Sequence, residues 1–396
     1  MKEGISLIIP TLNCKENLDI LLDSINNQSL LANEIIIVDS SDNRLIENLV
    51  NKKISNIPII YIKTSQKYPG EKRNIGAQRS SYEWLAFLDV GTVPRDHWLK
   101  TNLTIATEYG YYAVFGKTKY RALNEFQKLL RAATFGNIGH ETTPGSLVRN
   151  DYFQKSGGFI EGIRAGDDQE WRMQIRDVSK KYFTPTETTL DYSILPNNLL
   201  DMQKKYFIYY LHSAKVRAQK KIRDLYLSVF LIFLMIIVTK WNYIIGGWDT
   251  NPLFIPNIQK IFTLSMVLIL LIFIIFDGLF TQRGSLNLLN WTAKVLLFFL
   301  ISLSVYRWNT EVIDWVEDSI FFIPHITKIY IVMLLLCSFF YRGIFTPLRL
   351  GIAPSFIFPI NWIKVGLIGL SFDLLKTPGI MLGIILAPFQ KKLSKL

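Results

Sequence analysis

Two aspartates close separate apolar runs: Asp39 ends "NEIIIVDSS" (33–41) and Asp89 ends "WLAFLDV" (84–90). Runs this continuously apolar suit strands buried on both faces, each delivering one carboxylate to its C-terminal end. In open sheets, ligands bind beyond those ends, and Pro10 and Thr11, which follow the run "ISLII", fall there too. The first strand leads into "PTLNCKEN", which carries neither the glycine-rich dinucleotide fingerprint nor the phosphate-binding lysine loop. Nicotinamide and P-loop chemistry are therefore disfavoured. What remains is one acid placed for a nucleobase or ribose and another placed for a divalent cation on phosphate oxygens. The plainer alternative is that Asp39 and Asp89 only cap loops or helices.

A sheet is needed to place these residues. After "ISLIIP" (5–10), Leu18, Leu21, Leu22 and Ile25 recur at helical spacing, with Asn13 as candidate cap. "IPIIYIK" (57–63) reads as a third strand, "EKRNIGAQRS" as a helix and "WLAFLDV" as the next strand. Strand alternating with helix predicts an α/β domain with a parallel sheet covered on both faces.

The 396 residues suffice for two domains, and 49% hydrophobic content exceeds that of an ordinary soluble enzyme. Charges retreat beyond about residue 225. Stretches 225–245, 261–280, 291–308 and 326–345 each approach the ~20 residues that cross a bilayer. Two weaker runs, 351–371 and 378–389, read as one hairpin or two interfacial helices. Lys and Arg crowd 204–223, whereas Glu311, Asp314, Glu317 and Asp318 lie between the third and fourth spans. This predicts a multi-pass protein of a cell inner membrane with a cytoplasmic N-terminal domain. Residues 1–9 are too short an apolar run for a signal peptide. The expected division is a domain over 1–205, a basic juxtamembrane linker over 206–223, and membrane helices over 224–396. The net charge of +12 gathers beside the spans, where anionic lipid attracts it, so no nucleic-acid partner is expected. Cys14 and Cys337 flank the domain boundary and read as buried small apolar side chains, not a disulfide framework.

Five pieces, "SLIIPTLN", "EIIIVDSS", "GEKRNIGA", "WLAFLDVGTVPRDHWL" and "GGFIEGIRAGDDQEWRMQIR", follow one another between residues 5 and 176. In that order they resemble the family-two inverting glycosyltransferases of the GT-A fold, a Rossmann-like fold of nucleotide-diphospho-sugar transferases. The resemblance implies a nucleotide-sugar donor, with Pro10 and Thr11 lining the base pocket and Asp39 bonding the base or ribose. The family's "ARN" reads "KRN" here, which brings Arg73 and Asn74 to the nucleotide; Arg73 as a solvated helix residue is the alternative. Asp89 matches the first acid of the DxD motif, a ligand of Mg or Mn, but Gly91 stands at the second. One carboxylate with phosphate oxygens and waters can hold Mg²⁺. Another ligand can also come from elsewhere, or arginines and lysines can neutralise the leaving diphosphate.

The second chemical centre is "GDDQEW" (166–171). Inverting transfer needs a base for the acceptor hydroxyl, and a carboxylate at a helix start is held ionised by the first amides. By resemblance Asp168 is that base, and Asp167 its neighbour raises one of the two pKa values. Asp167, Glu170, Trp171 and Arg172 fall on the acceptor side, where Trp171 stacks on a sugar or simply packs. An acidic capping turn is the alternative. His140 stays outside the catalytic set, and the "QxxRW" signature of processive synthases is not evident. The expected function is sugar transfer to a lipid-linked or membrane-proximal glycan acceptor at the bilayer, in cell-surface polysaccharide or glycolipid assembly. The alternatives are a polyprenyl-phosphate glycosyltransferase and a non-catalytic membrane scaffold with a degenerate donor site.

Overall fold

In the computed structural model, the described residues are 2–53, 55–213, 216–220 and 326–393, with isolated short stretches between 222 and 324. Strands β1 (Lys2–Thr11), β2 (Glu34–Asp39), β3 (Ile59–Lys63) and β4 (Tyr82–Phe87) alternate with helices α1 (Lys15–Asn26), α2 (Leu45–Lys52) and α3 (Pro69–Arg79). The order β3-β2-β1-β4 is parallel throughout. Beyond β4 the sheet turns mixed through β7 (His140–Arg149), β6 (Ala113–Tyr120), β9 (Leu190–Tyr192) and β5 (Thr92–Pro94), with β8 (Tyr182–Phe183) also on β6.

The pleat explains why the central strands read as unbroken apolar runs. Leu7, Ile9, Ile35 and Ile37 face one way, against Leu18, Leu21, Leu22 and Ile25 of α1, the four positions read at helical spacing. Ile8, Ile36, Val38, Leu85 and Phe87 face the other, against Ala77 of α3 and Trp171 and Ile175 of α7 (Asp167–Val178). Asn13 does not cap α1: it adopts φ 51° and its amide donates to Ser41 Oγ at 2.7 Å. Cys14 is half-buried and Cys337 exposed, both free, so neither is the buried apolar filler that composition suggested.

The chain divides into two compact units, residues 1–219 with 339–396, and residues 220–338. Helix α8 (Leu199–Ser213) runs through residue 205. In the first unit, Leu130 and Ala133 of α5 (Glu125–Thr134) and Met202 of α8 share a core with Ile357, Val365, Ile368 and Phe372. Those last residues belong to a segment expected among the membrane helices. The runs 351–371 and 378–389 are not a hairpin or two separate helices, because one helix, Asn361–Leu393, carries most of both. Among the described residues, two helices can cross a membrane by length and composition, Lys328–Arg349 and Asn361–Ile384. The stretches 225–245, 261–280 and 291–308 lie largely outside the described residues.

Candidate active site

Helix α3 carries the side chain that joins the two acidic centres. Arg73, with its side chain only 3% exposed, donates from Nη2 to Asp89 Oδ1 at 2.6 Å and from Nη1 to Asp167 Oδ2 at 2.8 Å. Phe159 lies under the guanidinium, 5.2 Å away. Asp89, 32% exposed, lies two residues beyond β4, and Asp167 opens α7 behind Gly166, whose φ of 89° turns the chain into the helix. Arg73 is thus a buried bridge and not a solvated helix residue. One arginine serves two carboxylates with Asp168 close by, so Asp167 is not fully compensated. Burial, reinforced by Asp168 and Asp89 against the pull of Arg73, pushes its carboxyl up to about 7.

Asp168 is partly exposed and is the second residue of α7. Its Oδ1 accepts from the Gln169 amide at 2.8 Å, the helix-start donation expected of it, and its Oδ2 accepts from Arg172 Nη1 at 3.1 Å. Arg172 is buried and pairs through Nε with Glu141 Oε1 at 2.9 Å. Glu141, on β7, also accepts from Arg176 Nη2 at 2.6 Å and from Thr184 Oγ1 at 2.7 Å. It is the hub that orients Arg172, and through it Asp168. Sequence reasoning did not single out Glu141, although it lies in the stretch 139–159 that resembles the family's acceptor-shaping region.

Asp39 is fully buried and internally satisfied. It accepts from Thr11 Oγ1 at 2.9 Å, the Ser41 amide at 3.0 Å, Ser41 Oγ at 2.6 Å and Tyr61 Oη at 2.9 Å. Burial alone would raise its pKa, but these donors together lower it. Asp39 therefore braces Thr11 and the β2 end from beneath. Pro10 is buried in β1, opposite Val38. Lys72 donates to the Thr11 carbonyl at 2.7 Å and to Ser40 Oγ at 3.0 Å. Burial, then the charge of Arg164, depress its ammonium to about 8.

Asn74 fastens the loop ahead of α7, donating to the Phe159 carbonyl at 2.9 Å and accepting from the Phe159 amide at 2.9 Å. The structure does not bring two expected residues to the acceptor side. Trp171 is buried, stacked on Phe159 with centroids 4.9 Å apart and set edge-on to Phe87 at 5.6 Å, so it packs and does not stack on a sugar. Glu170 is buried too, accepting from Arg217 Nε at 2.6 Å and the Ala218 amide at 3.1 Å. It ties the chain after α8 to α7. His140 bonds the Phe135 carbonyl and sits edge-on to Tyr120.

Gly91 has φ 94°, and a Cβ there would lie 2.3 Å from Ile194 Cδ1. The second acid of a DxD pair is thus closed off by backbone and packing together. Among the described residues no group of three His, Cys, Asp or Glu side chains could hold a metal ion. Asp89 gives one oxygen to Arg73, and position 91 offers it no second acid.

The family model "Glycosyl transferase family 2" matches residues 6–182. Residues 6–182 belong to glycosyl transferase family 2. The domain is accordingly GT-A-like, an α/β sheet whose strand ends carry the site. The chain is 29% identical over 123 residues to chondroitin synthase of Escherichia coli, covering 30% of this chain and 18% of that protein. It is 25% identical over 187 residues to glycosyltransferase AglE of Haloferax volcanii, covering 44% of this chain and 61% of that protein. The chain thus spans less than two thirds of either relative. Among solved structures, S. aureus TarS 1-349 in complex with UDP-GlcNAc aligns at TM-score 0.40 and 16% identity, over 63% of this chain and 77% of that one. Mannosyltransferase PcManGT from Pyrobaculum calidifontis, in complex with GDP-Man and Mn2+, aligns at TM-score 0.46 and 12% identity, over 95% of this chain and 88% of that one.

Proposed function

We propose that the protein is a membrane-bound inverting glycosyltransferase that moves a sugar from a nucleotide-sugar donor to a hydroxyl of a lipid-linked acceptor, in cell-surface polysaccharide or glycolipid assembly. The observation that carries this reading is the Asp89–Arg73–Asp167 bridge, with contacts of 2.6 and 2.8 Å. It sets the acid at the β4 end and the acids at the α7 start around one side chain. Family 2 membership of residues 6–182 supports the same chemistry.

In this reading Asp168 takes the acceptor hydroxyl's proton as that oxygen attacks the anomeric carbon. The new C–O bond forms on the face opposite the nucleotide, and the bond to the diphosphate breaks with its electron pair leaving on phosphate. Arg172, held by Glu141, fixes the base; Thr11, braced by Asp39, and the Asn74-tied loop shape the donor side. The Mg or Mn implied by resemblance has no chelating set among the described residues, and no step runs through it. Attachment to the bilayer is supported by the helices Lys328–Arg349 and Asn361–Ile384 and by the basic residues of 204–223. Tethering would keep the family 2 domain beside an acceptor diffusing in two dimensions.

Nucleotide release from purified membranes supplied with a panel of sugar donors and lipid extracts tests the reading. Asp168→Asn should lower turnover by about 10²-fold or more while donor binding persists. Undiminished turnover would point to an acceptor phosphate that needs no deprotonation, and no turnover with any donor would leave a scaffold.

A further inference from the structure

The leaving diphosphate brings negative charge to a site that already holds Asp89, Asp167 and Asp168, so a cation must face it. Most cations there are engaged. Arg73 lies between Asp89 and Asp167, Arg172 between Asp168 and Glu141, and Lys72 holds the Thr11 carbonyl and Ser40. Arg164 differs: it is exposed, and among the described residues it makes no hydrogen bond or ion pair.

Its loop is fastened at both ends. Glu71 Oε1 accepts from the Gly162 amide at 2.9 Å and Asn74 Nδ2 donates to Glu161 Oε1 at 3.1 Å, which tie the near end to α3. At the far end Asp167 is held by Arg73. Residues 162–166 therefore arch from the donor-side helix to the base-bearing helix with Arg164 in mid-span. The guanidinium is close enough for its charge to act on Lys72, Lys205, Tyr192 and Tyr209. Lys72 and Lys205 are disfavoured as ammonium ions, first by burial and next by Arg164. An anion seated among these three would relieve that repulsion.

We infer that Arg164 receives the donor's diphosphate through its planar guanidinium fork, in the role that a chelated divalent cation would otherwise fill. The inference rests on the nucleotide-sugar reading above and deepens it. It follows from the closure of position 91, which leaves Asp89 without a partner acid, and from the bidentate match of guanidinium to phosphate.

The test is isothermal titration of the full chain in detergent with UDP and GDP, and with UMP and GMP, each in EDTA and again in Mn²⁺. One diphosphate is expected to bind in EDTA within about threefold of its affinity in Mn²⁺. Arg164→Gln should weaken that diphosphate about tenfold or more and leave the matching monophosphate within about threefold, with an unchanged unfolding midpoint; Arg164→Lys should recover part of the loss. Diphosphate binding seen only with Mn²⁺, or unaltered in Arg164→Gln, would overturn the role of Arg164 and leave the donor reading standing. No binding of either diphosphate under both conditions would overturn both.

Discussion

Gly91 offers a direct check on why this chain lacks a second acid. Replacing it with alanine puts a Cβ on a backbone held at φ 94°, which costs about 1–2 kcal/mol for an L-residue. The new Cβ would also stand 2.3 Å from Ile194 Cδ1 and 2.8 Å from Cγ1. Ile194 is 37% exposed, so it can swing aside at the expense of about 1 kcal/mol in rotamer strain. The sum is about 2–3 kcal/mol, or roughly 5–10 °C in unfolding midpoint for a unit of this size. Intrinsic-fluorescence melts of the purified chain should show that loss for Gly91→Ala. Gly91→Ala with Ile194→Ala should regain the contact part but not the backbone part. Gly91→Asp, which restores the acid pair on paper, should be no more stable than Gly91→Ala. A Gly91→Ala midpoint within about 1 °C of the parent would show that the glycine is not required by conformation, and the account of the missing acid would fail.

Three further outcomes follow from the site. Glu141→Gln should loosen Arg172 and lower kcat by about 10- to 100-fold with donor KM little changed; a change confined to donor KM would contradict the hub role. Asp167 has a folded pKa raised from 3.8 to about 7, so its contribution to stability is full below the unfolded value and is lost as pH rises through the folded one. The melting midpoint of the parent should therefore fall relative to Asp167→Asn between about pH 4 and 7, and parallel curves would contradict this. Trp171→Ala should cost about 3–5 kcal/mol in denaturant unfolding, whereas an unaltered stability with weakened acceptor affinity would return Trp171 to the sugar site.

Much of the domain was legible because its signals are local. Unbroken apolar runs mark β1, β2 and β4, since strands covered on both faces have no polar side to show. The 3.6-residue recurrence of Leu18, Leu21, Leu22 and Ile25 marks α1. The acids at the strand ends and the helix start could be located by the same reading. It went wrong where a residue's neighbours come from elsewhere in the chain. Asn13 looked like a cap by type, yet Ser41, 28 positions away, takes its amide. Trp171 sits among charged residues in sequence, and only the aromatic cluster of Phe87, Phe153 and Phe159 draws it inward.

By itself, then, the sequence determined which residue types stand at strand ends and helix starts, because backbone periodicity and capping are settled over a few neighbours. Only the tertiary structure decided that Arg73 reaches both Asp89 and Asp167, the latter 94 residues away, and that Glu141 on β7 steadies Arg172 on α7. It also decided that Gly91 is closed by Ile194 and that helix Asn361–Leu393 packs on α5 and α8. These pairings depend on strand order and helix placement, which bring distant segments within hydrogen-bond or van der Waals reach, and no local spacing encodes them.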